Sequence, residues 1–293
     1  MNKKYGIIIL LIGCLTFVSF VYLKKTDKPK SDDVYLKTVV FKDKDNELIP
    51  ISINFFSQVE REQEVINRLQ LMKSNELSRY GLYPVLDSQF EVLSVKVKDK
   101  VMTLNTNEAI AKGDGLDVIE ALTYVLTDYA DVEQLKLQIQ GKDIVSLPNS
   151  QIPLTSLTKQ FGLNNFIETS LLLHETIPVM AYQEKIVQQY SYYIPTTLRI
   201  HEKDSIDEQV KTVLEHVQSQ IQVIDASLEN GILSVHLGSN ILLDNETIDQ
   251  TLQELIVLSL SSIKGVKDVS IHINKEELET KKTSEIQYNY LRI

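Results

Sequence analysis

The chain has 293 residues, 43 % hydrophobic and 24 % charged, which fits a folded globular protein of two ordinary domains or one large one and excludes a disordered or fibrous chain. Its formal charge of -10 excludes nucleic acid as a partner, because binding a phosphate backbone takes a concentrated excess of Lys and Arg. The single cysteine, Cys14, lies in an apolar N-terminal run, so the folded part has no thiol for a disulfide, a metal site or nucleophilic catalysis.

The N-terminal segment comes first. Tyr5 to Leu23 carries no formal charge and stands between Lys3-Lys4 and Lys24-Lys25. At about 1.5 Å per residue it is long enough to cross the hydrocarbon core of a bilayer. Within it, Leu11-Ile12-Gly13-Cys14 resembles the lipobox of bacterial lipoproteins, which makes Cys14 a candidate lipid-attachment residue. The apolar run continues from Leu15 to Leu23, whereas a lipoprotein turns polar soon after its cysteine, so an uncleaved helix is the preferred reading. On either reading residues 1–33 are a membrane anchor and linker, and the folded domains are expected on the extracytoplasmic side.

Apolar Val39-Val40-Phe41 leads to a strand-like stretch from Leu48 to Phe55. A helix follows, with Val65, Ile66, Leu69 and Met72 at helical spacing behind a capping-box pattern, Ser57 to Glu60. Leu93, Val95 and Val97 alternate with polar residues, and Val101 to Leu104 return after Lys98-Asp99-Lys100, which predicts a hairpin. Val118, Leu122, Val125 and Leu126 mark a second helix, and Leu135, Leu137 and Ile139 another strand.

The same order then recurs. Pro195 and Leu198 stand over Pro50 and Ile53 at an offset of 145 residues, as do Val210, Leu214 and Val217 over Val65, Leu69 and Met72, behind a capping box at Ser205 to Glu208. At an offset of 131, Ile224, Ala226, Leu228, Leu233 and Val235 fall over Leu93, Val95, Val97, Met102 and Leu104, all expected to point inward around an Asn230-Gly231 turn. At an offset of 134, Leu252, Ile256, Leu260, Val269, Ile271 and Ile273 continue the match. The order of elements favours duplication over two unrelated α/β patterns. The expected fold is α+β, two tandem small α/β domains, each with two helices packed on one face of a small mixed β-sheet. The division is 34–147 for the first domain, 148–178 for a linker with a candidate helix from Phe166 to Leu173, 179–277 for the second domain and 278–293 for a tail.

The first copy resembles the GerMN domain of bacterial sporulation and germination proteins. The resemblance rests on Val40-Phe41 before Leu48-Ile49-Pro50, on Tyr83-Pro84 before Phe90 to Val97, on Val101 to Asn105, and on Val132 to Ile139 running into Gln140-Gly141-Lys142. The second copy is degenerate, with Asn274-Lys275 in place of the glycine turn and no Tyr-Pro approach. The resemblance implies a scaffold similar to ring-building motifs, with lateral protein contacts outside the membrane of a spore-forming bacterium.

No catalytic, cofactor-binding or metal site is read from the sequence. His174-Glu175 lacks the second histidine of a zinc-protease helix. His236 and His272 have the parity of polar strand faces and are expected as surface histidines, with no third ligand. There is no Gly-rich phosphate loop, no Gly-x-Ser-x-Gly and no distinctive carboxylate pair. The tyrosines of Gln188 to Tyr193 and of Tyr288-Asn289-Tyr290 are read either as exposed interface residues or as strand formers. The expected function is therefore a non-enzymatic envelope protein without cofactors. It would bind other envelope proteins or self-associate in sporulation or germination, with recognition of peptidoglycan as the alternative and hydrolysis ranked last.

Overall fold

The computed structural model describes residues 34–56, 60–112, 115–146, 153–155, 157–165, 175–243, 247–273, 276–278 and 280–291. The N-terminal run with Cys14, the stretch from Phe166 to Leu173, His174 and Asn274-Lys275 lie outside these residues.

The first unit opens on an antiparallel hairpin of β1 (Val34–Lys42) and β2 (Leu48–Phe56), followed by α1 (Arg61–Met72). Then come β3 (Val92–Lys98), β4 (Val101–Thr106), α2 (Gly115–Leu126), β5 (Gln134–Ile139) and the short β6 (Lys142–Asp143). The second unit repeats this order with β7 (Thr176–Val187), β8 (Tyr190–His201), α3 (Ile206–Val217), β9 (Val223–Glu229), β10 (Ile232–Leu237), α4 (Gln250–Leu260), β11 (Asp268–Ile273) and β12 (Glu276–Glu277). A last strand, β13 (Tyr290–Leu291), returns to pair in parallel with β2.

Each unit has a mixed four-stranded sheet, β3-β4-β5-β6 or β9-β10-β11-β12. The central pairs, β4/β5 and β10/β11, are parallel and are joined through α2 and α4, the crossover that parallel neighbours require. Alternation along these strands buries Met102, Leu104, Leu135 and Leu137 in one unit and Leu233, Val235, Val269 and Ile271 in the other. The helices place Val65, Leu69, Leu122 and Leu126, and Val210, Leu214, Ile256 and Leu260, onto those faces. The hairpins cover the helices with Phe41, Ile49 and Ile51 in the first unit and with Val179, Leu198 and Ile200 in the second.

Helix starts and turns follow the local sequence with one exception. Ser205 caps α3 in a complete capping box with Glu208. In α1 the cap is Glu60, with no side-chain bond, so the helix begins three residues after the position expected from Ser57. The β3/β4 and β9/β10 turns each place two residues in the left-handed region: Asp99 and Lys100 in the first, Asn230 and Gly231 in the second.

A second correction concerns Leu93 and Ile224, expected inward but 48 % and 59 % exposed. Each sits at a bulge, between Val92 and Ser94 in β3 and opposite the register shift at His236/Leu237 in β9. The extra residue throws the side chain outward. Just beyond it, a helix carboxylate takes the strand's next N–H: Val95 N–H donates to Glu62 and Ala226 N–H to Asp207, at equivalent places in the two units.

Candidate functional site

The junction between the two units is the most elaborate polar site among the described residues. β2 and β8 run beside each other but belong to different sheets. Pro50 and Pro195, at the same place in each unit, remove one N–H from each facing edge, and two asparagines fill the gap.

Asn164, in the tail of the first unit, accepts from Leu48 N–H through Oδ1 at 2.8 Å and donates from Nδ2 to Leu48 O at 2.7 Å and to Pro195 O at 2.9 Å. Asn289, in the tail of the second, accepts from Tyr193 N–H at 2.8 Å and donates to Tyr193 O at 2.7 Å and Pro50 O at 2.8 Å. Leu48 and Tyr193 are equivalent at the offset of 145, so the two arrangements are reciprocal. The backbone repeats the pattern: Thr197 N–H donates to Asn164 O and Ser52 N–H to Asn289 O. Each tail therefore docks on the other unit's hairpin. Both asparagines have φ near +50°, a conformation that Asn tolerates better than other side chains except Gly. Gly162, at φ +84, is required by close approach as well, since a Cβ there would lie 2.4 Å from Thr197 Oγ1.

Glu120 of α2 anchors the first tail. Its carboxylate accepts from the backbone N–H of Asn164 at 2.7 Å and of Asn165 at 3.3 Å, and from Asn165 Nδ2 at 2.6 Å. Burial raises its pKa to about 7, although these hydrogen bonds pull it down, and the charge of Asp117 adds to the rise. It borders a cleft of about 600 Å³ lined also by Asp117, Asn164, Asn165, Gln183 and His216. Its hydrogen bonds hold the loop in place, which is a structural use of the carboxylate.

The tip of the β7/β8 hairpin reaches further into the first unit. Val187, Tyr192 and Ile194 join the first core, and Tyr192 donates its hydroxyl proton to Tyr80 O at 2.9 Å. Gly81, in the connection between α1 and β3, is where this tip lands, at φ +75 with Val187 against it. Lys185 pairs with Asp43, Asp45 and Glu47 in the β1/β2 turn. Burial pushes the Asp43 carboxyl up, but Lys185 and the N–H groups of Glu47 and Asp45 outweigh it and hold the pKa below the usual carboxylate range.

Of the two tyrosine motifs, Tyr192, Tyr193 and Tyr288 turn inward. Tyr192 is buried, Tyr193 stacks on Tyr288 at 6.0 Å and donates to Glu254, and Tyr182 meets Tyr288 edge-on. Tyr290 is exposed. His236 and His272 are register partners across β10 and β11, with ring centres 4.8 Å apart. Among the described residues no group of three or more His, Cys, Asp and Glu side chains is placed to hold a metal ion. No described helix is long and apolar enough to cross a membrane. Sequence reasoning missed Asn164, Asn289 and Glu120, and the one signal pointing to them is the shared position of Pro50 and Pro195.

No protein-family model matches the chain. The spore germination protein GerM of Bacillus subtilis (strain 168) is 26 % identical over 192 residues, which is 58 % of this chain and 52 % of that protein. The match thus spans about half the length of this curated relative. The solved tandem GerMN domains of the sporulation protein GerM from Bacillus subtilis align with a TM-score of 0.67 at 17 % identity, over 83 % of this chain and 92 % of that one. With its two units in the same order of elements, the chain has the tandem GerMN-domain fold, and its sequence is similar to that of GerM.

Proposed function

We propose that this chain is a non-enzymatic, extracytoplasmic envelope protein that serves as a scaffold or protein-interaction module in sporulation or spore germination. The observation that carries this reading is the tandem GerMN fold, joined to sequence similarity with a protein named for spore germination. The reciprocal docking of tails supports a scaffolding use, because it presents two outer sheets as one rigid unit. The apolar run from Tyr5 to Leu23, with Cys14 as the candidate lipid-attachment residue, supports tethering at the membrane. The polar groups of the inter-unit cleft support a structural role, since Glu120 holds the first tail through Asn164 and Asn165 and Asn164 joins that tail to Pro195 of the second unit. Peptidoglycan binding loses its motivation where Tyr192, Tyr193 and Tyr288 pack inward.

Complementation tests this reading. Expressed in a Bacillus subtilis strain lacking GerM, the full chain is expected to restore heat-resistant spores or their germination at least in part. Absence of any restoration from a stably produced chain, together with sedimentation of the chain on purified cell wall, would replace it with wall recognition.

A further inference from the structure

The outer face of the second sheet carries a row of side chains for which the tandem fold has no use. Asp225, His236 and His272 stand side by side on β9, β10 and β11 as register partners, and Ser270 and Glu277 extend the row. Proton bookkeeping fixes the two rings. A carboxylate only accepts, so His236 donates from Nδ1 to Asp225 at 2.5 Å. Ser270 has a single proton and gives it to Glu277 at 2.6 Å, so His272 donates from Nε2 to Ser270 Oγ at 2.9 Å. The other nitrogen of each ring, His236 Nε2 and His272 Nδ1, has no hydrogen-bond partner among the described residues.

This is the arrangement in which imidazoles bind metal, with the far nitrogen of each ring oriented by a carboxylate, directly or through a hydroxyl. The spacing agrees. Two imidazoles sharing one ion at about 2.1 Å put their ring centres about 5 Å apart, and here they are 4.8 Å apart and tilted by 57°. The first unit has Ser94, Asn105 and Gln138 at the equivalent places, and its amides are bonded to Gly141 N–H and Asp143 instead. The row is therefore not a by-product of the duplicated fold.

We propose that His236 and His272 form a two-histidine site for one divalent transition-metal ion of the zinc, copper and nickel class. The ion binds through His236 Nε2 and His272 Nδ1, and its remaining positions are open to water. Imidazole donors suit these ions and not calcium or magnesium, which take oxygen.

The test is calorimetric titration of the tag-free full chain with Cu²⁺ and Zn²⁺, and with Mg²⁺ as the hard-ion control. One equivalent of each transition ion is expected to bind, Cu²⁺ more tightly, with no saturable heat from Mg²⁺. His236→Gln and His272→Gln keep a polar side chain on an exposed face and are each expected to abolish saturable binding with an unchanged circular dichroism spectrum, while His201→Gln retains it. Asp225→Ala is expected to weaken binding about tenfold by releasing the His236 ring. The proposal is overturned if the parent shows no saturable binding of either ion, or if the His236→Gln/His272→Gln double variant binds as the parent does.

Discussion

Burial moves Glu120 from 4.5 to about 7, so the folded chain holds this proton more tightly than the unfolded chain. The stability tied to that proton is fully present below pH 4.5 and is lost as pH rises through 7, about 3 kcal/mol across the window at 1.36 kcal/mol per unit. Glu120→Gln removes this titration. The stability difference between parent and variant, measured by urea midpoints at pH 5 and pH 8, is expected to change by about that amount in favour of Gln at the higher pH. An unchanged difference would show that Glu120 does not titrate as its burial implies.

Asn289 gives a second prediction at this scale. Asn289→Ala leaves Tyr193 N–H, Tyr193 O and Pro50 O without their bonds, and Asn289→Asp keeps an acceptor but loses both donations. Each is expected to destabilise by about 2–4 kcal/mol, read as a lower denaturation midpoint. The Ser205 capping box was legible in the sequence because its partners lie within one turn. Asn164 was not, because its side chain bridges Leu48 and Pro195, far away in both directions along the chain.

At the scale of elements, periodicity revealed the two helices of each unit and the three longer strands of each four-stranded sheet, but neither the two-residue edge strands nor the bulges. Leu93 and Ile224 fit an alternating pattern, and only the paired strand shows that one residue is surplus. Leu93→Ser and Ile224→Ser are therefore expected to change stability by no more than about 0.5 kcal/mol, whereas Leu104→Ala on the buried face costs about 2–5 kcal/mol. Comparable losses in thermal midpoint for all three would contradict the bulge assignment. β7 escaped the sequence reading for a related reason. Buried Val179, Ala181 and Tyr182 sit among exposed Gln183 and Glu184, so its apolar run is short, and its edge is satisfied from a helix, with Met180 and Tyr182 N–H donating to Ser262 and Ser259.

For the whole molecule, the duplicated order was legible because it repeats a local pattern, and the way the copies meet was not, because it depends on exchanged tails. The exchange joins two cores that each close around their own helices. A chain of two units on a flexible linker would unfold in two steps, while units that share tails, asparagine bonds and the docked Tyr192 hairpin unfold together. The scaffold reading needs the second behaviour, since two surfaces held in fixed relation are what such a protein would offer its partners. The most direct measurement is differential scanning calorimetry of residues 34–293. A single transition, with equal calorimetric and van't Hoff enthalpies, splitting in two in the Asn164→Ala/Asn289→Ala variant, is the predicted result; two resolved transitions in the parent would contradict the account.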